Sequence, residues 1–185
     1  VSFDTDGGSE VAAITVDYDT EVTAPANPTK TGYTFDGWSP ELPKTMPAEN
    51  LKVTATWTLI TYTIEYDLAE GQLPEGCVNP TEYTVESGDI TLANPIKTGY
   101  IFGGWTGTGI EEITETVVIT GGSVGDRKYS ATWNEIPVES LTLNKAAVEL
   151  KTRAKVTLTA KVLPENATDR TIEWNSADSR IATVA

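Results

Sequence analysis

The sequence has no histidine, one cysteine and one methionine, and its 185 residues carry 13 basic side chains against 27 acidic ones. Without histidine there is neither the usual base of serine and cysteine hydrolases nor the commonest transition-metal ligand. Cys77 is alone, which excludes an intrachain disulfide and a thiolate metal site. With no imidazole to activate it, it reads as a bystander. The net charge of −14 repels phosphate backbones and anionic membrane surfaces, so nucleic acid is not an expected partner. No stretch approaches the roughly 18–20 consecutive apolar residues of a membrane helix, and no membrane insertion is expected here. No basic, then apolar leader opens the sequence, so an export signal or wall anchor is expected in a longer parent.

What is present is repetition. Asn27-Pro-Thr-Lys-Thr-Gly-Tyr-Thr-Phe-Asp-Gly-Trp38 returns as Asn94-Pro-Ile-Lys-Thr-Gly-Tyr-Ile-Phe-Gly-Gly-Trp105, with nine of twelve positions identical. Each copy is followed by Ala-Thr-Trp, ending at Trp57 and at Trp133, so the duplication covers a module and not one loop. The paired tryptophans are 19 residues apart in the first copy and 28 in the second. The nine extra residues fall near 106–126, where glycines surround an alternating run, and this reads as a loop or added hairpin.

Period-two alternation marks strands at 1–3, 14–16 and 51–57 in the first copy and at 62–66, 83–85 and 129–133 in the second. No segment carries a sustained helical stripe, and the proline-rich 24–28 should run extended or as a single turn where a crossover helix would otherwise lie. Gly32 and Gly99 stand where a tight turn launches the next strand, and positive φ is expected at both. Charge also divides the chain: 3 basic and 9 acidic residues in 1–58, 3 and 11 in 59–134, and a balanced 7 and 7 in 135–185. From Pro137 the vocabulary changes, with alternating runs at 141–143, 148–150 and 156–162 and a further strand at 171–174. These start a different all-β module, expected to be the truncated first half of a sandwich and the least stable part of the chain.

Thr31-Gly-Tyr-Thr-Phe-Asp-Gly-Trp38 with Ala55-Thr-Trp57 and the opening Phe3-Asp-Thr-Asp-Gly-Gly8 resembles the Listeria-Bacteroides repeat, the internalin-type B repeat. Residues 62–134 look like a longer variant of it. Val138-Glu-Ser-Leu-Thr-Leu143, Val162-Leu-Pro164, Asn166-Ala-Thr168, Trp174-Asn-Ser176 and Ile181-Ala-Thr-Val184 resemble the bacterial Ig-like domain, group 2. The resemblance implies β-grasp-like repeats in an extracellular, multidomain bacterial surface protein, with roles in spacing, adhesion or host contact and no shared catalytic residue.

The expected architecture is therefore all-β and elongated: β-grasp-like repeats at 1–58 and 59–134, lacking a full crossover helix, then the N-terminal part of an Ig-like sandwich at 135–185. The expected role is a spacer or stalk at the cell surface with a possible adhesive function, monomeric, without cofactor or metal. Its partner would be a host or wall glycan or protein. Carboxylate pairs could in principle hydrolyse glycosides, but modules this small leave little material to wall a cleft, and solvated acidic faces are favoured. Asp4, Asp6, Asp17 and Asp19 resemble fragments of calcium loops but lack the remaining ligands of an EF-hand. Leu42-Pro-Lys-Thr-Met46 has methionine where a sortase signal needs glycine, and the sequon at Asn166 is explained by turn chemistry. Trp38 and Trp105 are the candidate ligand contacts, since flat rings stack on sugars, although recurrence at one place in both repeats suits a core better. The rival readings are a carbohydrate-binding module and an accessory region of a surface enzyme.

Overall fold

A computed structural model describes residues 1–184. It contains no helix among the described residues, and the chain is all-β. In the first repeat, β1 (Ser2–Asp4) pairs parallel with β3 (Lys52–Leu59), which pairs antiparallel with β2 (Tyr33–Ser39), giving the order β1-β3-β2. In the second repeat, β4 (Tyr62–Asp67), β5 (Glu82–Tyr83), β7 (Tyr100–Gly107) and β9 (Arg127–Glu135) form a sheet of order β5-β4-β9-β7. A small antiparallel pair joins β6 (Ile90–Thr91) to β8 (Val118–Ile119), and β10 (Ser140–Leu143) with β11 (Ala160–Leu163) forms the hairpin-like pair of the third module. By contact density the chain divides into two compact units: residues 1–65 with 79–92 and 117–128, and residues 66–78 with 93–116 and those from Tyr129 onward.

Both repeats carry the same irregularity. The register of β2 against β3 shifts between Phe35 and Gly37, and that of β7 against β9 shifts between Phe102 and Gly104. In a regular strand, residues three apart point to opposite faces; one extra residue puts them on the same face. The bulge thus brings Phe35 beside Trp38, ring centroids 5.2 Å apart, and Phe102 beside Trp105 at 5.5 Å. The bulge glycines have φ of 146° at Gly37 and 116° at Gly104, a region that side chains disfavour. The Phe-x-Gly-Trp of the duplicated motif is therefore a bulge signature.

The partner tryptophans complete each cluster. Phe35 meets Trp57 edge-on at 5.4 Å and Phe102 meets Trp133 at 5.7 Å. Trp57 Nε1 donates to the Thr5 carbonyl at 3.1 Å, and Trp133 Nε1 to the Leu68 carbonyl at 3.1 Å, so each ring is both packed and hydrogen-bonded. A Cβ on Gly8 would lie 2.6 Å from Cζ2 of Trp57, and one on Gly71 would lie 2.4 Å from Cζ2 of Trp133. Each glycine admits the indole.

Several sequence expectations are refined. Gly32 and Gly99 have φ of 79° and 82°, as their turns require, and the residues at 24–28 run without regular structure. The excursion near 106–126 is not a self-contained hairpin: β8 pairs back onto β6, because Ile119 finds a buried position there, at 2% exposure. The runs at 14–16, 148–150 and 171–174 form no strand, and of the run 156–162 only its end joins β11. In the third module Val162 and Ala167 are buried, while Leu141, Leu143, Val148, Leu150 and Trp174 are exposed.

Candidate functional site

The two candidate ligand-contact residues occupy different environments. Trp105 is fully buried, its Nε1 donating to Asn94 Oδ1 at 2.9 Å and its ring meeting Tyr66 edge-on at 6.2 Å. Neither face is open to a sugar. Its cover is the excursion: the Trp105 amide donates to the Thr114 carbonyl at 2.7 Å and the Thr114 amide returns to the Trp105 carbonyl at 3.2 Å. Trp38 has no such cover and is half-buried, tilted against Phe3 at 4.8 Å.

The recurring lysines act as internal clamps. Lys30 Nζ donates to the Asp6 carbonyl at 2.7 Å, pairs with the Asp6 carboxylate at 3.3 Å and sits 4.6 Å from the Tyr33 ring centroid. Lys97 repeats this on the Ala69 carbonyl at 3.0 Å, the Glu70 carboxylate at 3.2 Å and the Tyr100 ring at 4.5 Å. A shallow polar depression of about 370 Å³ lies beside this second clamp, lined by Glu70, Gln72, Ile96, Lys97 and Thr98. Sequence reasoning missed the clamp, although lysine three residues before tyrosine in both copies was the available signal.

The carboxylates do not assemble a metal site: no group of three or more His, Cys, Asp or Glu side chains able to hold an ion occurs among the described residues. Asp4, of the calcium-loop fragment, is held below the usual carboxylate range by its hydrogen bond to Lys52 and by the Asp6 backbone amide. Cys77 is exposed. Burial, with a smaller contribution from Tyr129, pushes the phenol of Tyr66 up to about 12. Among the described residues no helix is long and apolar enough to cross a membrane.

The motif also carries a feature that sequence reasoning did not find. The turn ending in Tyr33 touches the second repeat: a Cβ on Gly32 would lie 2.1 Å from Val85 Cγ1 and 2.5 Å from Cγ2. The Tyr33 hydroxyl donates to Glu86 Oε1 at 2.5 Å, which raises the Tyr33 pKa above its ordinary value. The same turn of the second repeat touches the third module, where a Cβ on Gly99 would lie 3.6 Å from the Thr168 Cα. Thr168 Oγ1 donates to the Gly99 carbonyl and accepts from the Ile136 amide at 2.7 Å. In each repeat the Lys-Thr-Gly-Tyr turn is the seat of the following module.

The family model of the Listeria-Bacteroides repeat domain matches residues 1–59 and 62–122, and that of the bacterial Ig-like domain (group 2) matches 137–185. Internalin H of Listeria monocytogenes is 32% identical over 114 residues, covering 56% of this chain and 19% of the relative. A protein of Evansella cellulosilytica whose name describes it as a membrane protein is 33% identical over 118 residues, covering 57% of this chain and 17% of the relative. An Ig-like virion protein of Serratia phage KSP90 is 37% identical over 78 residues, covering 42% of this chain and 30% of the relative. The chain thus spans less than a third of the length of each of these relatives. No solved structure matches it.

Proposed function

Because the chain belongs to the Listeria-Bacteroides repeat family, we propose that it is a non-catalytic spacer segment of an extracellular bacterial surface protein, holding other parts of its parent at a set distance. The observation that carries this reading is the reuse of one turn as a seat for the next module, at Gly32 and again at Gly99. Modules that contact chiefly their neighbours extend reach by addition, and net negative charge keeps them soluble and apart. The β5-β4-β9-β7 order, with the first and last strands of the repeat central, supports a β-grasp reading of the module.

An adhesive role is the second reading, favoured by the partial exposure of Trp38. Its ring would give a sugar or a partner protein a flat apolar contact. A screen of the 185-residue chain against wall and host glycans and extracellular-matrix proteins, with and without calcium, separates the two. Specific micromolar binding lost in Trp38→Ala would establish adhesion, and silence at high concentration would leave the spacer. An accessory role to an enzyme would require a catalytic module elsewhere in the parent.

A further inference from the structure

Equivalent strands of the two repeats can be matched from their hydrogen bonds. Trp57 bonds the Thr5 carbonyl as Trp133 bonds that of Leu68, so Thr5 corresponds to Leu68 and Val1 to Ile64. Val1 exchanges backbone hydrogen bonds with Ile14 at 2.8 and 2.9 Å, and the Ile64 amide bonds the Thr81 carbonyl at 2.7 Å, so Ile14 corresponds to Thr81. Three residues further on, each repeat closes a turn with the same bond: the Thr20 amide bonds the Asp17 carbonyl at 3.1 Å, with Asp19 at a φ of 64°, and the Ser87 amide bonds the Thr84 carbonyl at 3.1 Å. The first repeat then rejoins its ladder three residues sooner, since the Val22 amide bonds the Lys44 carbonyl as the Leu92 amide bonds that of Val117, so Tyr18 and Asp19 tip a shorter form of the loop that carries Val85 and Glu86.

In the second repeat those two positions plug the preceding turn, Val85 against Gly32 and Glu86 against the Tyr33 hydroxyl. In the first repeat, Tyr18 is 72% exposed and Asp19 is exposed beside it. Tyr18 brings a larger apolar face than valine, and Asp19 keeps the carboxylate that would accept from a tyrosine hydroxyl. We propose that the Tyr18–Asp19 tip is an intermodule plug whose partner is the Lys-Thr-Gly-Tyr turn of another copy of this repeat. The occupant follows from the interface already present once in the chain: a side-chain-free glycine at positive φ receives the first tip residue, and the adjoining tyrosine bonds the second. The third module uses the same seat differently, through Thr168 and backbone polar groups, so the seat is shared while the plug varies.

The test lengthens the chain by one repeat. Residues 1–63 are joined directly ahead of Val1, so that Val1 follows Thr63 as Ile64 does, and the leading copy is marked by Thr15→Ser to make its peptides distinguishable. Hydrogen exchange is then read over residues 17–20 of both copies in the same sample. The expected result is exchange about ten-fold slower in the second copy, whose tip faces the leading copy's Gly32, than in the leading copy. Tyr18→Asp in the second copy should abolish that difference while leaving the other amides of the repeat unchanged, since the side chain is exposed and its loss does not unfold the module. Equal exchange in the two copies, or protection that survives Tyr18→Asp, overturns the proposal.

Discussion

Trp38 and Trp105 close the same dodecamer, follow the same bulge and meet the same phenylalanine, yet one is half-buried and the other has no exposure at all. The difference comes from the longer second repeat, whose excursion lays Ile113 and Thr114 over the strand carrying Trp105. The fit is close enough that a Cβ on Gly104 would lie 2.6 Å from Ile113 Cγ2. Insertion here adds core, and it removes a ring that the shorter repeat leaves partly in contact with solvent. A motif conserved between repeats thus specifies the local aromatic geometry without specifying accessibility.

The largest expected effect breaks this contrast directly. Trp105→Ala should cost about 3–5 kcal/mol, and Trp38→Ala about half as much, because less surface leaves water at Trp38. Urea denaturation of the two variants measures both, and equal losses would contradict the unequal burial. Next come Gly8→Ala and Gly71→Ala, which force a methyl into Trp57 and Trp133. Overpacking of this kind costs about 1–3 kcal/mol. Gly71 meets the closer ring, so it should lose more, with thermal melts giving the order.

A pH dependence should separate the repeats further, since the first strand of the second repeat carries Tyr66 where the first repeat has Phe3. The folded pKa of Tyr66 is raised from 10.0 to about 12, so the folded state holds the proton more tightly. Its contribution is fully present below pH 10 and is lost as pH rises toward about 12, on the order of 1 kcal/mol after allowing for solvent screening. Denaturant midpoints across that range should fall in the parent and fall less in Tyr66→Phe. The smallest effect is expected at the clamps: Lys30→Met and Lys97→Met should each cost about 0.5–1 kcal/mol, reduced further by salt. Similar values in the two repeats would show that the clamp, unlike the tryptophan, is insensitive to the excursion.

Much of the local structure was legible in the sequence. Alternation located β1, β3, β4 and β9 because sheets with one buried face select side chains with period two. Prolines and the missing helical stripe excluded a crossover helix, and the Lys-Thr-Gly-Tyr turns demanded glycine at positive φ. The bulge was written in the spacing of Phe35 and Trp38, but that spacing is recognised only once the pairing register is known. The alternating run 14–16 failed as a strand because a single backbone exchange, Ile14 with Val1, does not extend into a ladder.

The sequence by itself determined the all-β class, the duplication and the identity of the aromatic clusters, because hydrophobic period, turn chemistry and repetition are local properties of the chain. Only the tertiary structure decided which tryptophan is covered, which strand the excursion joins, and that Gly32 and Gly99 leave room for a neighbouring module. Those outcomes depend on contacts between residues tens of positions apart, and such contacts leave no periodic trace in the sequence.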